Sequence, residues 1–455
     1  MNLPNYFLAD LPPEAVLGAS MLEEACLTLK RNREKYLAGR STHALVEILS
    51  EVGANWLRPD YAIRKLALEL GPGATGFSVQ TLTRGLESFF RQLDSESLTG
   101  LLVQDLGSPK RLDHMTAGGA PHQEGPARSA TVTGPELIFH IAAGNIPNPA
   151  MTSIVLGLLT RSAQFVKCAS GASLLPRLFA HSLYEAERKL GACLEIAEWP
   201  GGNAELERGL FDAADCVTAA GSDETLADIR RRVPGKARFL GYGDRVSFGY
   251  IAAGGWSPSV GKIAERAATD VVAWNQLGCL SPHVIYVEQG GRLAAEPFAE
   301  LLAQELARRE ETEPRGELPR ETAATIASRR AIYEVRAAHS PETRFWQSHN
   351  STAWTVVYES DPLFQLSCLN RFIYVKSVSD LKTALESADS VRGKVSTVGL
   401  AASEEEAPAK ALELARWGAT RICPLGQMQN PPLTWRHDGR PALGELVTWT
   451  DWEHS

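Results

Sequence analysis

Between residues 136 and 243, five short apolar runs alternate with four stretches of helical length, and this alternation limits the fold more than any other feature of the chain. The runs are "ELIFHIAAG", "QFVKCA", "CLEIAEWPG", "DCVTAAG" and "KARFLGYG". The stretches between them, "NPAMTSIVLGLLTRS", "ASLLPRLFAHSLYEAERKLGA", "AELERGLFDAA" and "DETLADIRRRV", carry apolar residues over helical lengths. Strands joined through helices must run parallel, so the sequence predicts a parallel sheet covered on both faces. Such a layer binds nucleotides beyond the carboxyl ends of its strands.

A second alternating region starts near Val246. It runs through "VSFGYIAAG", a helix in "SPSVGKIAERAATDVVAWNQL", the strand "HVIYVEQG", charged helices over 300–345, the strands "AWTVVYES" and "RFIYVKS", and two further helices. The expected class is therefore α/β, with a Rossmann-type parallel-sheet domain and a second α/β catalytic domain. The expected divisions are a mainly helical 1–130, a nucleotide-binding 131–245, a catalytic 246–425, and a Pro- and Gly-rich 426–455 that wraps over another surface or another subunit. A homo-oligomer is expected.

A chain of 455 residues exceeds one compact core, and 44% hydrophobic with 22% charged residues is ordinary for a globular protein. No apolar run could span a bilayer, and the first residues lack the features of an export signal. The cytoplasm is the expected compartment. A net charge of -8 with dispersed basic residues leaves no footprint for nucleic acid. Seven scattered cysteines, with no CxxC pair, argue against disulfides and structural zinc.

"GPGATG" (71–76) has the spacing of a dinucleotide fingerprint, but it follows a helical pattern where a strand is required, so it reads as a helix stop. No Walker loop and no G-x-S-x-G elbow occurs. "AAGNIPNPA" (142–150) is a stiff turn in which Asn148 is suited to cap the following helix and Asn145 to donate to an oxygen gaining charge. Lys167 ends a strand where it either snorkels to water or meets a nucleotide. Gly221 and Ser222 precede a helix, as an N-cap or a pyrophosphate site. Cys279 lies in "AWNQLGCLSPH", between Gly278 and a Ser281-Pro282 turn, where a small buried hydrophobe and an attacking thiolate are both chemically reasonable.

In order and approximate spacing, "GNIPNP", "FVKCAS", "EWPGG", "AAGSDE" and "NQLGC" resemble the Trp-Asn-Phe-Pro, Lys-Pro-Ser-Glu, Pro-Gly, Thr-Gly-Ser and Gly-Gln-x-Cys segments of the aldehyde dehydrogenase superfamily. The similarity extends over roughly residues 45 to 455 and is greater to the acyl-CoA reductase branch, which includes the fatty-acid reductase subunit of bacterial luminescence systems. The stretches "WNQLGCLSPHVIYV", "CLNRFIYV" and "RHDGRPALGELVTW" carry it.

The resemblance implies that Cys279 is the nucleophile, with Asn145 and the Cys279 amide as oxyanion hole. It also implies that Lys167 and Ser170 reach the adenosine ribose and that Gly201, Gly221 and Ser222 border the cofactor. Ser170 stands where NAD-preferring relatives often carry a ribose-gripping glutamate, so NADPH is the expected cofactor. The segment nearest the hydrolytic enzymes' Glu-Leu-Gly-Gly, "FLGYGDRVSF" (239–248), has no glutamate to activate water. This favours reduction of an acyl-CoA, acyl-carrier or acyl-protein thioester to the aldehyde, with an acyl-transferase or carrier protein as a partner. Aldehyde oxidation and a non-catalytic scaffold are the alternatives. His283 and His437 are expected to be structural, although the "RHDG" turn could reach the acyl site.

Overall fold

The structure, a computed structural model, describes residues 3–12, 14–117 and 127–454. The polar, Gly-rich stretch "HMTAGGAPHQEGPARSA" (114–130), which the sequence predicts to be a connection, lies partly outside the described residues.

The first alternating region forms a five-stranded parallel sheet. Its strands lie in the order Leu194–Glu198, Ala163–Cys168, Leu137–Ile141, Cys216–Ala220, Arg238–Tyr242. The chain builds outward from Leu137–Ile141 in one direction and then returns to pair Cys216–Ala220 on its other side. The order thus reverses beside this central strand, the position at whose carboxyl ends sheets of this kind bind nucleotides. One face is covered by helices Asn148–Leu159 and Leu174–Ala186, which share a core with the N-terminal helices Thr42–Leu57 and Val79–Phe90 through Leu49, Trp56, Phe90, Met151 and Phe179. Helices Ala19–Tyr36 and Ala204–Ala213 cover the other face through Leu22, Cys26, Leu210 and Phe211. "GPGATG" closes helix Ala62–Thr75, with Gly76 as a left-handed cap at φ 75°.

The second region is a seven-stranded sheet in the order Thr343–Gln347, Thr355–Glu359, Phe372–Val378, Pro282–Glu288, Val246–Ile251, Val395–Ala401, Arg421–Pro424. Only the Thr343–Gln347 edge is antiparallel. Three of these strands depart from the sequence reading. The charged stretch 300–345 contains helices Ala295–Thr312 and Arg320–His339 but ends in the Thr343–Gln347 strand. Val395–Ala401 did not register as an apolar run because two of its buried residues, Ser396 and Thr397, are polar. The short Arg421–Pro424 strand is largely half-exposed.

Asn148 does not cap its helix. The helix begins at Asn148 itself, with Pro147 as N-cap and no side-chain cap bond. The C-terminal segment runs along the chain's own surface and ends as strand Thr448–His454, antiparallel to Ala127–Thr133.

Candidate active site

Helix Val260–Val272 runs directly into a tight turn in which Trp274, Asn275 and Gln276 all adopt left-handed φ angles, 49°, 51° and 66°. Three such residues in a row are costly for L-amino acids and persist only where neighbours over-determine them. Here each side chain is fixed. The Trp274 indole packs edge-on to Phe77 and fills the space over Gly85. Asn275 donates to the Arg315 carbonyl at 2.8 Å and accepts from Arg371 Nε at 3.1 Å. Gln276 donates to the carbonyls of Pro282 and Phe372 and accepts from the Phe372 amide. The answering turn, Leu369 to Arg371, is left-handed at three residues as well.

This bracing sets the position of Cys279. Its carbonyl accepts from Ser247 Oγ at 2.8 Å, and the preceding Leu277 carbonyl accepts from Asn145 Nδ2 at 2.7 Å. A side chain from the carboxyl end of one sheet is thereby bonded to the cysteine loop of the other. Asn145 is exposed, and its amide has two N–H groups, so the second can serve an incoming oxygen. Gly278 lets the Gln429 amide lie close over the loop: a Cβ there would stand 2.7 Å from Gln429 Nε2, which donates to Ser281 Oγ.

Cys279 is one of three partly accessible cysteines, with Cys368 and Cys423; the other four are buried. Exposure alone does not distinguish it, whereas its setting at the junction does. Burial pushes its thiol up to about 11, the Asp438 charge adds to this, and Arg245 opposes it.

Of the remaining residues read from the sequence, Lys167 is buried at the end of its strand, 5.9 Å from the Trp199 ring centre, and burial lowers its pKa. Ser170 is exposed in the following turn. Gly201 is exposed, with nothing within 4 Å of where a Cβ would stand. Gly221 lies beyond Cys216–Ala220, and Ser222 caps helix Asp223–Arg232 by accepting from the Thr225 amide. A nicotinamide dinucleotide fits this edge, because the sheet order reverses here and the space beside Gly201 is open. Lys167, Ser170, Gly201 and Gly221 would hold it.

His283 accepts from the Ser367 amide at 3.0 Å, and burial lowers its pKa to about 4, which makes it a neutral structural acceptor. His437 stacks on Tyr242 with ring centres 4.6 Å apart.

Sequence reasoning missed Glu198, Ser247, Arg245, Asp438 and Gln429. Glu198, at the end of the strand beside Lys167's, accepts from the amides of Gly171 and Ser173. The last four come together only through folding, and no local pattern marks them apart from the "RHDG" turn.

The sheet orders and the cysteine loop at the junction define a protein of aldehyde-dehydrogenase-like fold. It is similar to the aldehyde dehydrogenase KauB of Pseudomonas aeruginosa, with a TM-score of 0.74 at 13% identity over 97% of this chain and 90% of that one. It is likewise similar to an NAD-dependent benzaldehyde dehydrogenase of Corynebacterium glutamicum, with a TM-score of 0.70 at 12% identity over 96% and 91%. Within that fold, residues 37–449 match the family model for acyl-CoA reductase (LuxC). The chain belongs to this family and is an acyl reductase, an oxidoreductase. Its relatives include the long-chain acyl-protein thioester reductase of Aliivibrio fischeri, 24% identical over 90% of this chain and 82% of that one. Another is the long-chain acyl-protein thioester reductase 2 of Photobacterium leiognathi, 23% identical over the same shares. No helix among the described residues is long and apolar enough to cross a membrane, and no cluster there could hold a metal ion.

Proposed function

We propose that the chain reduces a long-chain acyl thioester to the aldehyde through an acyl group carried on Cys279, with NADPH as the reductant. The observation that carries this reading is the bond from Asn145 to the Leu277 carbonyl, which ties an oxyanion donor to the cysteine loop. In this reading the Cys279 sulfur attacks the thioester carbonyl. The second Asn145 N–H and the Cys279 amide hold the oxygen as it gains charge. Expulsion of the carrier thiol leaves an acyl-cysteine. The nicotinamide, when bound, supplies hydride. The absence of a glutamate in 239–248 supports transfer between thiols over hydrolysis.

NADPH is supported by Ser170, which brings no negative charge, and by Lys167 at the ribose end. Glu198 is the opposing charge there, already engaged by two backbone amides. The relatives' names support a long-chain acyl-protein thioester as substrate, and a carrier or acyl-transferase partner follows from it. The divisions near residues 130, 245 and 425 and a homo-oligomeric, cytoplasmic enzyme belong to the same proposal.

The test is mass spectrometry of the protein incubated with a panel of acyl-CoAs, followed by addition of NADPH or NADH. Acylation should map to Cys279, with aldehyde forming faster from NADPH, and Cys279→Ala should lose both products. Acylation retained in that variant, at another cysteine, would overturn the nucleophile assignment, and preference for NADH would overturn the cofactor assignment.

A further inference from the structure

The strand that holds the Cys279 carbonyl through Ser247 is preceded by Arg245, whose guanidinium pairs with Asp438 at 3.0 Å. Asp438 is carried by the C-terminal segment, which is fixed to both sides of the cysteine: Gln429 bonds Ser281 and closes over Gly278. The Asp438 side chain is only 5% exposed. Apart from this ion pair, neither of its oxygens accepts a hydrogen bond from the described residues. It sits in the Asp438-Gly439 turn with a left-handed φ of 53°.

A buried carboxylate with one cationic partner and no further hydrogen bonds is costly to keep. We infer that Arg245 and Asp438 form the charge pair that sets the protonation of Cys279, Asp438 holding the proton on the sulfur and Arg245 favouring its release. This rests on the proposed role of Cys279 as acyl carrier, and it makes Arg245 and Asp438 positioning residues. They act through the cysteine and do not touch the acyl group. During acyl transfer the Cys279 sulfur bonds the acyl carbon, the bond from that carbon to the carrier sulfur breaks, and the cysteine proton ends on the carrier sulfur. No oxidant or reductant enters that step. The direction in which Asp438 and Arg245 act on the thiol agrees with this assignment.

Other groups face the pair from each neighbouring element. His437 Nε2 lies 4.0 Å from Asp438 Oδ1, and burial lowers its pKa, so it adds no charge near pH 7. Tyr242, pushed up to about 12, stays neutral under the Arg440 guanidinium, and Arg440 is paired with Glu445 at 3.3 Å. The Lys394–Asp223 bridge is a compensated pair.

The test follows the pH dependence of iodoacetamide alkylation at the Cys279 peptide in the full chain, without acyl substrate or cofactor. Failure here is thus separate from failure of the acyl-reductase reading, which is judged by acylation. Asp438→Asn should move the midpoint down by roughly one pH unit, Asp438→Glu should move it back toward wild type, and Arg245→Gln should move it up. Opposite shifts cannot come from a general loosening of the loop. An unmoved midpoint in either variant, or shifts of the same sign, would overturn the inference. If the Asn variant fails to give a cooperative melt, Asp438→Ser takes its place with the same expected direction.

Discussion

An amide side chain can stabilise an oxyanion only if its N–H is aimed before the charge appears, and Asn145 is aimed by its own second bond to the Leu277 carbonyl. Asn145→Ala should therefore lower kcat for aldehyde formation by about 10²- to 10³-fold. The melting temperature should change little, because the side chain is exposed and its loss leaves no buried cavity. Steady-state aldehyde formation and thermal melting check this together; a large drop in melting temperature would mean that the residue acts as a brace. Asn145 and Cys279 were legible in the sequence because each sits in a short local pattern at the end of a predicted element. Arg245 and Asp438 were not, since 193 positions separate them and only the path of the C-terminal segment brings them together.

At the scale of elements, the centre of the five-stranded sheet holds a polar residue where the sequence reads a simple apolar strand. His140 is fully enclosed, with Nδ1 2.6 Å from Thr218 Oγ1 and Nε2 3.0 Å from Gln164 Oε1, so its ring ties the three central strands together. Burial lowers its pKa to about 4. The unfolded chain, with a value near 6.5, takes up the proton first as pH falls. Stability from His140 is then complete above about pH 6.5 and is lost as pH drops toward 4, by about 3 kcal/mol in all. Denaturant titrations at several pH values should show that loss in wild type and a smaller one in His140→Gln. Strand and helix boundaries in this region were legible because apolar runs and helical stretches alternate clearly. Val395–Ala401 was not, because Ser396 and Thr397 are polar although fully buried, which breaks the apolar pattern.

Across the whole molecule, the cysteine loop is braced from the N-terminal helices as well as from its own sheet. Trp274, the first left-handed residue of the turn, occupies the space over Gly85 in helix Val79–Phe90, where a Cβ would fall 2.1 Å from Cζ2 of the indole. Gly85→Ala should destabilise the fold by about 1–3 kcal/mol through overpacking. It should also slow acylation of Cys279 by displacing the turn. Denaturant midpoints and the rate of acyl labelling measure the two effects, and unchanged values of both would mean that the indole repacks freely. The sequence showed a helical N-terminal region but not this task, because tryptophan-to-glycine packing over 189 positions leaves no local signal.

The sequence by itself determined the alternation that makes the five-stranded parallel sheet and a second α/β region, and the ordered motifs that place Asn145, Lys167, Gly221 and Cys279 at strand ends or in turns. Those properties are local, because periodicity and turn chemistry act within a few residues. Only the tertiary structure decided what surrounds the thiol: the paired left-handed turns, the Asn145 bond across the sheets, and the Arg245–Asp438 pair brought in by the C-terminal segment. Electrostatic coupling and steric bracing depend on distance in space, and a linear chain does not record which distant residues will meet.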